Sequence, residues 1–182
     1  MFNLYKVLIN KIIYEIIPLT KISISKGNKI FGAALLNKSD HSTVTIGTNN
    51  EIVNPLYHGE ISTINDYFNS KLNKEIQPSD CIFLSTHEPC SLCLSAITWS
   101  GFDNIYYFFP YNKTKNLFNI PHDINILKEI FKLNNGNYNR MNNYWNSYSI
   151  VDEIKKLNDS EQLYLEKNIN KIYHEYDKLS KL

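Results

Sequence analysis

Hydrophobic positions change their spacing several times along this chain, and each change predicts an element. Residues 1 to about 25 read as a helix, its end blurred by Pro18 and the β-branched run after it. Ile30 to Leu36 reads as a strand, Lys38-Ser39-Asp40 as a turn and Thr43 to Gly47 as a returning strand, so the pair forms a hairpin. After a loop from Thr48 to Tyr57, apolar Ile61, Ile64, Phe68 and Leu72 follow at steps of three and four, which predicts a helix with one buried face. Cys81-Ile82-Phe83-Leu84 is apolar without interruption, as in a central strand covered on both faces. The next helix begins at Pro89 or Cys90 and ends near Gly101; proline suits a first turn, whose N–H groups have no internal partner. Asn104 to Phe109 is a further strand, rich in aromatic residues. This order predicts an α/β sandwich around a mixed sheet.

Past Pro121 the pattern weakens. Ile124 to Leu133 is a helix candidate, and Asn134 to Asn143 reads as a loop dense in asparagine. Tyr138, Tyr144, Trp145 and Tyr148 form an aromatic cluster that could either stack on a ring-shaped ligand or pack the last helix. That helix runs from Ser160 to Leu179, capped by Asp159 or Ser160. Its apolar residues Leu165, Ile169, Ile172, Tyr176 and Leu179 alternate steps of four and three, a stripe that must be buried against the domain or a second copy of the chain. Residues 1–150 are therefore expected to form one domain and residues 151–182 a helical extension.

Composition narrows the partners. A formal charge of +1 over 182 residues gives no general pull towards nucleic acid or an acidic membrane. Arg140 is the only arginine, which counts against bidentate phosphate recognition. From Ile150 onward there are six lysines and seven acidic residues, so the tail carries no basic stripe. Three cysteines do not make a disulfide framework. The apolar opening is interrupted by Lys6, Asn10, Lys11 and Glu15, and no stretch has the length needed to span a bilayer. A cytoplasmic protein with reduced thiols is expected.

The candidate chemistry sits in two short segments, His58-Gly59-Glu60 and Pro89-Cys90-Ser91-Leu92-Cys93, with Cys90 thirty residues past Glu60. H-x-E…P-C-x-x-C supplies one imidazole and two thiolates for Zn²⁺, and a carboxylate free to act as a proton shuttle. Three protein ligands leave a fourth position for water, which separates a catalytic zinc from a structural one. Both segments fall where helices are expected to begin, and a helix N-terminus stabilises thiolates. The activity implied is hydrolytic deamination of a nucleobase or nucleoside. The bland alternatives are weaker. A redox dithiol has no use for His58 and Glu60. A closed structural site would need Cys81 or His87 as a fourth ligand, but Cys81 lies about 15 Å or more back along its strand and reads as a core thiol. His41, His122 and His174 read as surface residues.

These segments resemble the cytidine deaminase-like superfamily over about residues 28 to 132. Within it the chain is most similar to the branch of guanine deaminases, yeast-type cytosine deaminase and tRNA adenosine deaminases. The resemblance rests on Phe31-Gly32-Ala33-Ala34, Gly47-Thr48-Asn49, Asn54-Pro55-Leu56-Tyr57-His58-Gly59-Glu60 and Glu88 to Trp99. It implies a three-layer α/β/α sandwich with a mixed central sheet, a Zn²⁺ cofactor and a homodimer. It also implies His58, Cys90 and Cys93 as ligands and Glu60 as proton shuttle. Asn49, or Asn50 because the loop to His58 is shorter than in the family, would bind the substrate ring. The Gly59 N–H would donate to a ring carbonyl, and the Glu88 carbonyl would receive the leaving amine. The Glu88 side chain reads equally well as an ordinary polar loop residue. Gly59 departs from the alanine usual in two of the three groups, and nothing after about residue 133 fits the family.

The leading expectation is a zinc deaminase of a small nucleobase or nucleoside of the guanine or cytosine type. A tRNA adenosine deaminase is the alternative, disfavoured by the charge distribution, and a non-catalytic zinc-stabilised binding domain is a third.

Overall fold

A computed structural model of the chain describes residues 1–70, 72–134 and 137–182. Five strands form one mixed sheet in the order β2-β1-β3-β4-β5. They are β1 (Gly32–Asn37), β2 (Thr43–Thr48), β3 (Cys81–His87), β4 (Asn104–Phe109) and β5 (Asn146–Ser149). The β1–β2 hairpin is antiparallel, β1 runs antiparallel to β3, and β3, β4 and β5 are parallel. The expected α/β sandwich with a mixed sheet is the fold observed.

Alternation along the central strands explains the layers, because successive side chains point to opposite faces. Leu36, Ile82, Leu84 and Phe108 face one side, where they share a core with Leu8, Ile9, Ile16, Leu165, Ile172 and Tyr176. Leu35, Phe83, Ile105 and Tyr107 face the other, with Ile64, Tyr67, Leu94 and Ile97. The first layer is α1 (Phe2–Lys11), a π-helical turn (Ile12–Ile16), α2 (Ile17–Ile24) and α8 (Asp159–Leu179). The second is α3 (Gly59–Asn69) and α4 (Ser91–Trp99). Shorter helices α5 (Tyr111–Phe118), α6 (His122–Glu129) and α7 (Ile150–Ile154) join the rest.

Several local expectations shift. The N-terminal helix continues past Pro18 because that residue stands in the first turn of α2, straight after the wide π turn, where its missing N–H costs little. In α3 the buried face is Glu60, Thr63, Ile64 and Tyr67, whereas Phe68 is exposed. The helix is thus rotated from the stripe read in sequence so that Glu60 points inward. Pro89 precedes α4 rather than opening it, and Cys90 is its N-cap. The helix expected from Ile124 runs from His122, and α8 is capped by Asn158, whose side chain accepts from Glu161 N–H. Strand β5 was not expected: Asn-Ser-Tyr-Ser carries no apolar alternation, and its pairing to β4 supplies the order instead. Asn135 and Gly136, inside the expected asparagine-rich loop, lie outside the described residues. The stripe of α8 is covered within the chain: Leu165, Ile172, Tyr176 and Leu179 are all buried.

The aromatic cluster of the tail packs the sheet and its second layer. Tyr148 stacks on Tyr106 of β4 at 5.0 Å, and the Trp145 indole donates to Thr98 Oγ1 of α4 at 2.8 Å. Tyr144 is exposed.

Candidate metal centre and active site

His58 caps α3 and Cys90 caps α4, so both segments end at the open N-termini of helices lying on the same face of the sheet. Their ligand atoms converge. His58 Nδ1 lies 3.4 Å from Cys90 Sγ and 3.6 Å from Cys93 Sγ, and the two sulfurs are 3.5 Å apart. Tetrahedral zinc with bonds of about 2.3 Å to sulfur and 2.0 Å to nitrogen needs ligand separations of roughly 3.5–3.8 Å. Among the described residues this is the one such group of three, and its donor set suits Zn²⁺. Protonation agrees with that assignment. Sharing a proton with Cys93 holds the Cys90 thiol well below its ordinary range, while the Cys90 sulfur draws His58 up to about 9. Cys90 is thus a thiolate ready for a cation, and the protons a metal would displace sit on His58 and on Cys93, whose thiol its hydrogen bond with Cys90 pushes up. Zn²⁺ is the cofactor this site is built to hold. His58 Nε2 faces Glu51 Oε1 at 3.6 Å, and Lys29 fixes that carboxylate at 3.0 Å. A carboxylate behind a metal-binding histidine orients the ring.

Glu60 stands beside the ligand set without being one of it. Its Oε2 is 3.3 Å from Cys93 Sγ, and its Oε1 accepts a 2.8 Å hydrogen bond from Ser85 Oγ of β3. Only 5% exposed, it has its carboxyl pushed up by burial. Asn49 is buried under α3, and its Oδ1 accepts from the Gly59 N–H at 2.6 Å. Two groups expected to meet substrate are therefore paired with each other, leaving Asn49 Nδ2 as a buried donor with no partner among the described residues. Asn50 is exposed in the following turn. The glycine at 59 has a steric cause: a Cβ there would lie 2.9 Å from Gly32 Cα, so α3 and β1 approach more closely than alanine permits.

Glu88 is no ordinary loop residue. Its side chain is 1% exposed. Oε1 accepts from Arg140 Nε at 2.9 Å, Arg140 Nη2 at 2.6 Å and Tyr138 OH at 2.9 Å, while Oε2 accepts from Tyr111 N–H at 2.9 Å. The lone arginine and the unreadable tail thus anchor the loop that carries Cys90. Cys81 is buried elsewhere, its Sγ on Gln77 O at 3.5 Å, and lies outside the ligand group.

A cavity of about 450 Å³, counting its open mouth, is walled in part by His58, Glu60, Glu88 and Cys90. Two wider hollows, near Asn69 and near Asp152, contain none of His58, Cys90 and Cys93, although Asn49 lines the first of them rather than this cavity; chemistry rather than size selects this one. Sequence reasoning missed several of its walls, among them His87, His122 and Asp123. His122 and Asp123 open α6 at the rim, so His122 is exposed as expected yet belongs to the cavity. Burial pushes the Asp123 carboxyl up to about 7. His87 also lines it, 2% exposed, with burial pulling its imidazole down to about 3. The folded chain therefore keeps His87 neutral where the unfolded chain, with an ordinary value of 6.5, takes up a proton. Stability should fall as pH drops from 6.5 towards 3, by up to about 1.4 kcal/mol per pH unit from this one group. Denaturant melts at stepped pH should show a shallower acid limb in His87→Leu than in the unaltered chain; parallel limbs would refute the assignment.

Fold and ligand set together define a zinc-binding deaminase. Residues 10–109 match the model of the cytidine and deoxycytidylate deaminase zinc-binding region. The chain belongs to that family. Among solved structures it is similar to guanine deaminase from Nitrosomonas europaea, at TM-score 0.55 and 16% identity, covering 90% of this chain and 81% of that one. It is also similar to guanine deaminase from Bacillus subtilis, at TM-score 0.53 and 24% identity, covering 69% and 80%. A third neighbour is a variant solved in complex with 8-azaguanine, at TM-score 0.55 and 16% identity, covering 90% and 82%. A search of curated proteins returns no match. No helix among the described residues is long and apolar enough to cross a membrane.

Proposed function

We propose that this chain hydrolytically deaminates a free nucleobase, with guanine as the first candidate. The observation that carries the reading is the placement of Glu60, a buried carboxylate in contact with a zinc ligand yet free of the ligand set. A purely structural zinc has no use for such a group.

His58, Cys90 and Cys93 would hold the ion, which when bound supplies the Lewis acidity that makes water nucleophilic near neutral pH. Glu60 takes the proton released as water adds to the amine-bearing ring carbon and delivers it to the neighbouring ring nitrogen. It then takes the proton of the added hydroxyl and passes it to the amine as the C–N bond breaks, so that ammonia leaves and a ring carbonyl remains. Ser85 Oγ lies 2.8 Å from Oε1 and 2.7 Å from the His87 carbonyl, which share its one hydrogen, and it keeps the other oxygen turned towards the ligands. Asn49 offers its free Nδ2 to a ring acceptor, and Gly59 serves by holding Asn49 Oδ1. The Glu88 backbone carbonyl, fixed by the Arg140 ion pair, faces the leaving amine. Asp123 receives a ring N–H.

The names of the two neighbours favour guanine, and a substrate rich in N–H groups suits the acceptors of the rim. A polynucleotide substrate is disfavoured because Arg140, the only arginine, is already held by Glu88. The test is ammonia release and ultraviolet absorbance change over guanine, cytosine, cytidine, dCMP, adenosine and tRNA. Turnover of guanine above the rest is expected. Turnover of tRNA alone would replace this reading, and no turnover of any member by the zinc-loaded protein would end it. The assembly expected from the family, a homodimer, is best read in the same preparations by sedimentation.

A further inference from the structure

His87 has a full wall of ring contacts but an unfinished hydrogen-bond account. It stacks on Phe109 at 4.8 Å and meets Phe31, Phe118 and Tyr176 edge-on at 4.6, 5.5 and 5.3 Å. Nδ1 lies 3.0 Å from Thr86 Oγ1, whereas the buried Nε2 has no partner among the described residues. His87 nevertheless lines the cavity that holds His58, Glu60 and Cys90. A buried polar atom without a partner is costly, and such an atom beside a binding site calls for a ligand group.

The proton on this ring can be placed. Thr86 Oγ1 donates to Gly32 O at 3.0 Å and accepts from Gly32 N–H at 3.1 Å. With its single hydrogen given to that carbonyl, Thr86 meets His87 Nδ1 as an acceptor, the arrangement in which Nδ1 carries the ring hydrogen and donates it. A neutral imidazole then leaves Nε2 as a bare lone pair, an acceptor and nothing else. Residue 87 is three positions before Cys90 and stands outside the ligand group, so a metal does not account for it.

We infer that His87 is a specificity-determining residue whose Nε2 accepts a hydrogen bond from an N–H of the substrate ring. The inference rests on the nucleobase reading above and sharpens it. The favoured substrate presents a ring or exocyclic N–H towards β3; an analogue with a bare nitrogen there is rejected because two lone pairs would face each other, and one with a methyl group because it offers no N–H and crowds the ring. In the free base guanine such N–H groups lie on both rings. Pyrimidine bases have fewer.

The probe is 8-azaguanine, titrated into zinc-loaded protein by calorimetry. His87→Leu should keep its zinc but bind about ten-fold more weakly, the effect of one lost hydrogen bond with its buried partner left unpaired. Its KM should rise with kcat little changed, the pattern of a binding contact. His87→Gln, which returns an acceptor oxygen, should recover part of the affinity, whereas a packing role alone would leave it no better than leucine. Should His87→Leu fail to fold, ¹⁵N NMR of the unaltered chain decides: Nε2 should read as unprotonated and move when 8-azaguanine is added. A protonated Nε2, an unmoved signal, or unchanged affinity in His87→Leu would overturn the inference. Failure of the unaltered enzyme to turn over any base defeats the functional reading as well. Full guanine turnover with an indifferent His87 defeats only this inference.

Discussion

Glu60→Gln is expected to lower turnover at least about 10³-fold, since general acid–base catalysis contributes ~10²–10⁴ and this carboxylate acts in more than one proton transfer. The substitution is nearly isosteric, and an amide can still accept the Ser85 hydrogen bond through its oxygen. What it cannot do is take up and release a proton. Zinc content should stay at one per chain, because the ligand group does not include this residue. The melting temperature should stay level or rise slightly, as burial works against a charge at this position. Metal analysis, thermal melts and steady-state kinetics on one preparation read all three. Retained activity would mean the proton moves through another group; lost zinc would mean the carboxylate is a ligand.

Removing a sulfur should act in the opposite manner. Cys93→Ala takes away a fully buried ligand, leaving two donors that cannot enclose the ion. Zinc should fall to near zero and activity with it. Stability should fall too, because a metal that binds only the folded chain stabilises it by about 4 kcal/mol when present at roughly 1,000 times its Kd. For a chain of this size that corresponds to roughly 8–16 °C in Tm. A chelator applied to the unaltered protein should reproduce the loss of activity and the fall in Tm, and added Zn²⁺ should restore both. Undiminished zinc in Cys93→Ala would show that the coordination has been misassigned. The two substitutions thus separate holding the ion from using it: one removes the chemistry with the metal in place, the other removes the metal.

Much of this was legible in the chain because the signals are local. The uninterrupted apolar run of β3 predicts a strand covered on both faces, and both faces are covered. H-x-E and P-C-x-x-C each occupy a helix start, so their side chains are brought together once the two helices lie on one face of the sheet. Elements without such periodicity were illegible. The Asn-Ser-Tyr-Ser of β5 forms a strand because β4 offers a free edge, not because of its own pattern. The inward turn of Glu60 follows from the rotation of α3 against β1, and that rotation depends on two glycines twenty-seven residues apart meeting backbone to backbone. Arg140 reads in sequence only as a scarcity; in the fold it is the clamp on Glu88.

Local order alone was enough to specify the hairpin, the buried central strand, the principal helices and the identity of the three metal-binding side chains, since period, caps and ligand spacing are properties of short windows. Tertiary structure decided everything that requires distant segments to meet. It pairs Asn49 with Gly59, seats Glu88 under Arg140, turns the stripe of α8 onto α1 and α2, and leaves His87 facing the cavity with one unsatisfied nitrogen. The physical reason is that burial and unmet hydrogen bonds belong to an assembled neighbourhood, and no window of sequence contains the neighbours.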